Sequence, residues 1–254
     1  MKSIREILKA KKNNNKITMI TAYDEPSAEF AEIAGIDIIL VGDSIGNNVM
    51  GYSGTVEVNM DDMLRAVKMV KRGAPETFIV GDLPMGSYQI SEEKTIENSI
   101  ALLKAGANAV KLEGTNNLET IKKMVNYGIP VMGHIGLLPQ SINQLGAYRI
   151  QGRTEKKRQF LLSQGKMLEK SGVFSIVLEM VEENTSKIIT EELKIPTIGI
   201  GAGKYCDGQV LVWHDLLGIN KDVPKFVKKY EDLNSRIVLA LKNYISDVKG
   251  ELFP

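Results

Sequence analysis

The chain has 254 residues, with 32 lysines and arginines against 31 aspartates and glutamates; a net charge of +1 leaves no bulk field for nucleic acid or an anionic membrane. Cys206 is the single cysteine and cannot form an intramolecular disulfide, and the charged opening MKSIREILKAKKNNNK lacks the apolar core of a signal peptide. No apolar run approaches the ~20 residues of a membrane span, so a cytoplasmic protein acting on small molecules is expected, either as two average domains or as one α/β barrel.

In chain order, residues 2–11 have the spacing of a short amphipathic helix suited to plugging the N-terminal end of a barrel, and the asparagines at 13–15 form a linker. Eight β-rich runs follow: ITMITAY (17–23), IDIILVGD (36–43), TFIVGDL (77–83), AVKLEG (109–114), PVMGHIG (130–136), FSIVLEM (174–180), PTIGIGAG (196–203) and QVLVWHDL (209–216). Helical spacing fills 26–34, 60–72, 91–107, 117–127, 154–171 and 182–193, and a longer lysine-rich helix closes the chain at 224–245. The clearest helix is 91–107, with Ser91 as N-cap, Glu93 and Lys94 in its first turn and Gly106 just past its end. KYCDG, between runs seven and eight, is too short for a regular helix. Either run eight is displaced or that crossover is lost.

Apolar runs alternating with helices specify a parallel sheet covered on both faces, as a closed barrel or an open doubly wound sheet. Eight repeats over this length favour one (β/α)8 TIM barrel domain spanning 1–254, with a helix before strand one. The connection LLPQSINQLGAYRIQGRT (137–154) far exceeds the ~2–6 residues usual for a βα loop and reads as a lid.

Barrels of this kind gather their chemistry at the C-terminal ends of the strands. There the sequence sets Asp43 and Ser44 after run two, Asp82 after run three, Lys111 and Glu113 on run four, His134 on run five and Glu179 on run six. Lys111 and Glu113 are two apart and share a face. Crowded buried carboxylates need a compensating cation, and an all-oxygen donor set suits magnesium better than zinc. Each residue also has a plainer reading: Asp43 as a turn residue, Ser44 as a helix cap, Lys111 snorkelling beside Glu113, and His134 as a hydrogen-bonded structural residue. Glu179, among apolar neighbours, suits proton transfer, though a glutamate paired to a lysine has the same signature.

Other motifs fit less well. GIGAGK (199–204) has Ile198 where a phosphate loop needs glycine and Tyr205 where it needs Ser or Thr, so it reads as a glycine-lined substrate pocket. Cys206 reads as a packing residue, and His214 with Asp215 divides between a site pair and a structural role at the end of the last strand. In VGDSIGNN the glycines read as letting the chain pass close to bound substrate.

The motifs TAYDEPSA, VGDSIGNNVMGY, DLPMGSY, AVKLEG, GHIGLLPQS, YRIQGRT, LEMV and IPTIGIGAGKYCDGQVLVWHDLLG, in this order over roughly 17–220, resemble the ketopantoate hydroxymethyltransferase family. The resemblance implies a barrel of the phosphoenolpyruvate/pyruvate superfamily and a large homo-oligomer, a decamer of two five-membered rings. It also implies transfer of a one-carbon unit from 5,10-methylenetetrahydrofolate to 3-methyl-2-oxobutanoate, giving 2-dehydropantoate. By motif, Asp43, Asp82 and Glu113 would serve magnesium; Asp43, Ser44, Asp82, Lys111 and His134 would contact the oxoacid; and Glu179 would be the catalytic proton acceptor. The chain departs from the family pattern at Arg65, Ala66, Met85, Leu138 and Ala147, which bears on the folate pocket, the oligomer contacts and the oxoacid side chain accepted. A magnesium-dependent carbon–carbon lyase of the same superfamily, or a non-catalytic oxoacid-binding barrel, are the competing readings.

Overall fold

The computed structural model describes residues 3–253. Eight parallel strands close into a barrel in sequence order: β1 (Ile17–Thr21), β2 (Ile38–Val41), β3 (Phe78–Asp82), β4 (Ala109–Lys111), β5 (Val131–Gly136), β6 (Ser175–Glu179), β7 (Thr197–Ile200) and β8 (Gly208–Leu211). Helix α1 (Ile4–Lys12) precedes β1. The crossovers hold α2 (Glu25–Ile33), α3 (Ile45–Asn48), α4 (Met60–Gly73), α5 (Glu92–Ala105), α6 (Leu118–Asn126), α7 (Ile142–Leu145), α8 (Glu155–Lys170) and α9 (Glu183–Glu192), and α10 (Trp213–Leu216) and α11 (Leu233–Lys249) follow β8. Two compact units divide the chain, the first ending at Val210 and the second beginning at Leu211.

Local chemistry sets these boundaries. Ser91 accepts from the Lys94 N–H at 3.1 Å to start α5, and Gly106, at φ +122°, ends it. Asp24 and Ser27 form a reciprocal capping box on α2, with proline in its first turn. Between β7 and β8 there is no regular helix, so that crossover is indeed lost. In its place Asp207 closes the barrel: its carbonyl accepts from the Ile17 N–H at 3.0 Å, and its Oδ2 accepts from the Thr197 N–H and from Lys11 Nζ, each at 2.8 Å.

The barrel interior follows strand alternation. Ile17, Met19, Ile38, Leu40, Phe78, Val80, Ala109, Met132, Phe174, Val177, Ile198 and Val210 form one buried cluster, joined by Ile7 and Ala10 of α1. The N-terminal helix therefore plugs the barrel as expected, and burying a side chain such as Ile7 contributes about 1.5–3 kcal/mol.

Two elements differ from the expectation. Run eight ends as a strand at Leu211, and Trp213–Leu216 turn into α10, so His214 lies on a short helix and not on a strand. The closing helix begins at Leu233, nine residues after the expected start at 224. The intervening chain folds back on α10 through the Tyr230 N–H to Leu216 carbonyl bond at 2.8 Å, and Asp232 then caps α11 by accepting from the Ser235 N–H.

The long β5–α8 connection has a 3₁₀ turn at Pro139–Ser141, then α7. Its far end is pinned beside β6: the Gln151 N–H donates to the Met180 carbonyl at 2.6 Å, and the Glu182 N–H donates to the Gln151 carbonyl at 2.9 Å.

Candidate active site

The alternation that builds the apolar floor also builds the site above it. Phe78 and Val80 lead to Asp82 on β3, Ala109 leads to Lys111 at the end of β4 with Glu113 two residues beyond, Met132 leads to His134 on β5, and Val177 leads to Glu179 on β6. Asp82 and Lys111 are register partners on neighbouring strands, as are Gly136 and Glu179. Gly136 has φ +103°, and a Cβ there would run into the carbonyl oxygen of Glu179; only glycine lets β5 close so tightly on the end of β6. Met180, directly after Glu179, is held at φ +50°, a left-handed conformation costing a non-glycine residue roughly 1–2 kcal/mol.

The residues singled out from the sequence form a connected network. Lys111 Nζ lies 2.8 Å from Asp82 Oδ1, with side-chain exposures of 5% and 2%. The Asp43 backbone N–H donates to Asp82 Oδ2 at 3.4 Å. His134 Nδ1 is 3.4 Å from Glu113 Oε1, and its Nε2 is 3.3 Å from Glu179 Oε2. The two histidine contacts are ion-pair distances without hydrogen-bond alignment, so both ring nitrogens are buried without a hydrogen-bond partner.

Ser44 does not act as the helix cap that its position suggests. Its hydroxyl makes no cap to α3; it pairs with the Tyr23 hydroxyl at 2.8 Å. Tyr23, Tyr88 and Gln140 also belong to the site, and the sequence reading passed over all three. The Tyr88 hydroxyl donates to Gln140 Oε1 at 2.7 Å, and Gln140 Nε2 donates to Asp43 Oδ2 at 2.8 Å. The available signal was a tyrosine or glutamine lying within a few residues of each strand's C-terminal end.

Electrostatics single the cluster out. Burial, then the neighbouring Asp82 carboxylate, pushes Asp43 well above the usual carboxylate range. Asp82 is raised too, with burial outweighing the adjacent Lys111. For Lys111, burial alone would favour the neutral amine, but Asp82, Glu113 and Asp43 outweigh it and hold the ammonium charged. His134 follows the same logic: burial opposes its charge, Glu113 and Glu179 favour it, and its pKa rises to about 9. In the β5–α8 connection, Tyr148 has its hydroxyl raised by partial burial and then by the Glu179 carboxylate. Four carboxyl groups thus share one ammonium and one imidazolium, a surplus of two acids over cations.

That surplus fits a divalent cation with oxygen ligands. Among the described residues no group of three His, Cys, Asp or Glu side chains is already gathered as a metal cage. A cation here would be held by a few carboxylates and completed by water or substrate oxygens, the usual habit of magnesium.

The other candidates resolve into packing. A Cβ on Gly46 would meet the Gly54 carbonyl oxygen and Val58 Cγ2, both at 2.7 Å, so this glycine lets the chain close on itself. A Cβ on Gly199 would meet Cys206 Sγ at 2.9 Å, and Cys206 itself is buried with its thiol pushed up by burial. Arg65 is exposed, 4.0 Å from Asp62, while Ala66 is buried in α4, and Met85 Sδ accepts from Gln89 Nε2.

The chain is similar to known proteins over its whole length. The model of the ketopantoate hydroxymethyltransferase family matches residues 1–254. The 3-methyl-2-oxobutanoate hydroxymethyltransferase of Thermotoga maritima is 58% identical over 251 residues, covering 98% of this chain and 93% of that protein. That of Kosmotoga olearia is 56% identical, covering 99% and 95%, and that of Ignicoccus hospitalis is 51% identical, covering 99% and 96%. Among solved structures, phosphoenolpyruvate phosphomutase of Streptomyces platensis superposes with a TM-score of 0.66 at 12% identity, covering 98% of this chain and 88% of that one. A 2,3-dimethylmalate lyase of the PEP mutase/isocitrate lyase superfamily gives 0.64 at 14% identity, covering 100% and 90%.

Proposed function

The chain belongs to the ketopantoate hydroxymethyltransferase family, and on that premise we propose that it works through a magnesium ion held by Asp43 and Asp82, with Glu113 bonding the metal or its water. The chain is an enzyme that transfers a hydroxymethyl unit to 3-methyl-2-oxobutanoate, a step of pantothenate synthesis, and its family and near relatives do not favour the lyase reading. The observation that carries the metal proposal is the buried surplus of two carboxyl groups over cations. Bound there, magnesium would supply a positive centre for the carboxylate and keto oxygens of the oxoacid.

The chain's own residues supply the rest. Lys111 holds a fixed positive charge where negative charge develops as the C3 proton leaves. Glu179, with its side chain 18% exposed and at the end of β6, is the proton acceptor. His134 bridges Glu113 and Glu179 and fixes both carboxylates around the oxoacid, which Asp43, Asp82 and Ser44 also line. The one-carbon donor in this proposal is 5,10-methylenetetrahydrofolate: its methylene carbon bonds to C3 and, with the oxygen of water, becomes the hydroxymethyl group, while its two C–N bonds break and tetrahydrofolate leaves. In this proposal the β5–α8 connection, whose Tyr148 hydroxyl feels the Glu179 carboxylate, is the segment that would cover the site and limit water there.

A homo-oligomer belongs to the same proposal. Taken by itself, the second unit carries Ile237, Val238, Leu241, Tyr244, Ile245 and Val248 at helical spacing along α11, which buries none of its residues. A cytoplasmic setting is supported by the lone, buried Cys206, and no helix among the described residues is long and apolar enough to cross a membrane. Titration calorimetry with magnesium, with and without 3-methyl-2-oxobutanoate, tests the metal site. Each ligand should tighten the other, and Asp82→Ala should abolish the coupling.

A further inference from the structure

Gln140 is 3% exposed, and its side-chain and backbone polar groups reach three neighbouring strand ends. It stands in the 3₁₀ turn that opens the lid, directly beyond β5. Nε2 donates to Asp43 Oδ2 at 2.8 Å and to the Leu83 carbonyl at 3.0 Å, and Oε1 accepts from the Tyr88 hydroxyl at 2.7 Å. The Gln140 backbone N–H donates to Glu113 Oε2 at 3.2 Å, and the Glu113 N–H donates to the Tyr88 hydroxyl at 3.4 Å, closing the circuit.

We infer that Gln140 is a positioning residue that fixes the Asp43 carboxylate through one oxygen and ties the first turn of the lid to it, so that metal loading and lid ordering are coupled. The inference rests on the magnesium reading above. An amide suits this place because its N–H occupies Oδ2 without bringing a competing cation, leaving the second oxygen of Asp43 for a metal ion. A lysine here would compete with the metal; a glutamate would add to acids already in surplus. Tyr88 fixes the amide orientation, since its hydroxyl must donate to Oε1 while accepting from the Glu113 N–H. With the near end held by Gln140 and the far end by Gln151, the lid segment 142–150 spans two anchors, and only the first of them touches the acidic cluster.

The test measures magnesium affinity by calorimetry, and backbone hydrogen exchange of 142–150 with and without magnesium, in the wild type, Gln140→Leu and Tyr88→Phe. Losing a hydrogen bond to a charged group should weaken magnesium binding about tenfold in Gln140→Leu, and Tyr88→Phe should weaken it about two- to threefold. The protection that magnesium gives the lid in the wild type should be missing from Gln140→Leu. A merely structural role would lower the melting temperature and leave affinity and lid protection alone, and that result overturns the inference. Should Gln140→Leu fail to fold, an unchanged affinity in Tyr88→Phe overturns it equally. A wild type that binds no magnesium sinks the metal reading and this inference together, whereas normal wild-type binding with an unaltered Gln140→Leu sinks this inference alone.

Discussion

Lys111 Nζ and Asp82 Oδ1 stand 2.8 Å apart, and the two residues are register partners on adjacent strands of the barrel. The pair is a direct product of parallel register: a polar residue at the end of β3 faces one at the end of β4, and both follow inward-facing apolar residues. Breaking a buried pair by removing one partner leaves an uncompensated charge and costs about 3–5 kcal/mol. Lys111→Met should lower stability by about that amount at neutral pH in the absence of magnesium, measured by urea unfolding. It should also cut turnover at least ~100-fold, because the charge facing the developing carbanion is gone. Near-normal turnover in a folded Lys111→Met protein would remove Lys111 from the chemistry.

The raised acids make a pH prediction. Asp43, lifted by burial and then by Asp82, and Asp82, lifted mainly by burial, bind protons more tightly folded than unfolded. The stability they contribute is therefore fully present below 3.8 and is lost as pH rises through their raised values. His134 acts in the same sense in another window: its contribution is present below 6.5 and is lost as pH rises through about 9. Metal-free protein should thus melt at progressively lower temperature from acid to alkaline pH, and magnesium should flatten the slope. Asp43→Asn should melt higher than the wild type at neutral pH without metal, by on the order of 1 kcal/mol. A metal-free slope of opposite sign would contradict the charge account.

Much of the barrel and the acidic rim was legible in the sequence for one reason. Parallel strands buried on both faces read as apolar runs, and the polar residue that ends each run is the one the fold sends to the C-terminal rim. That rule found Asp43, Asp82, Lys111, Glu113, His134 and Glu179. It could not find Tyr23, Tyr88 or Gln140, which lie in turns where no periodicity predicts direction. The start of α11 was misplaced because the lysine-rich stretch from 224 has helical composition, while the backbone bond from Tyr230 to Leu216 holds it as a turn. The same limit explains Ser44, whose position before α3 suggested a cap but whose hydroxyl turns to Tyr23.

That Ser44–Tyr23 contact has its own consequence. If Tyr23 orients the Ser44 hydroxyl toward the oxoacid, Tyr23→Phe should raise KM for 3-methyl-2-oxobutanoate about two- to fivefold with kcat little changed. Ser44→Ala should show the same pattern, and the double variant should be no worse than Ser44→Ala alone. Additive effects in a double-mutant cycle would separate the two residues.

The plug helix is a matter of stability alone. Ile7 is fully buried at the barrel's N-terminal end, away from the acidic rim. Ile7→Ala should cost about 2–5 kcal/mol in denaturant unfolding, with kcat unchanged in the protein that remains folded. A fall in kcat would show that the plug communicates with the rim.

The proposed first step is removal of the C3 proton of the oxoacid by Glu179 in a magnesium-dependent site. It is tested most directly by following the C3 proton of 3-methyl-2-oxobutanoate by NMR in heavy water, with enzyme and no folate. Exchange is expected with magnesium and not with chelator, and Glu179→Gln should lose it by at least ~100-fold while still binding the oxoacid. Exchange that persists unchanged in Glu179→Gln, or proceeds equally well without magnesium, would contradict it.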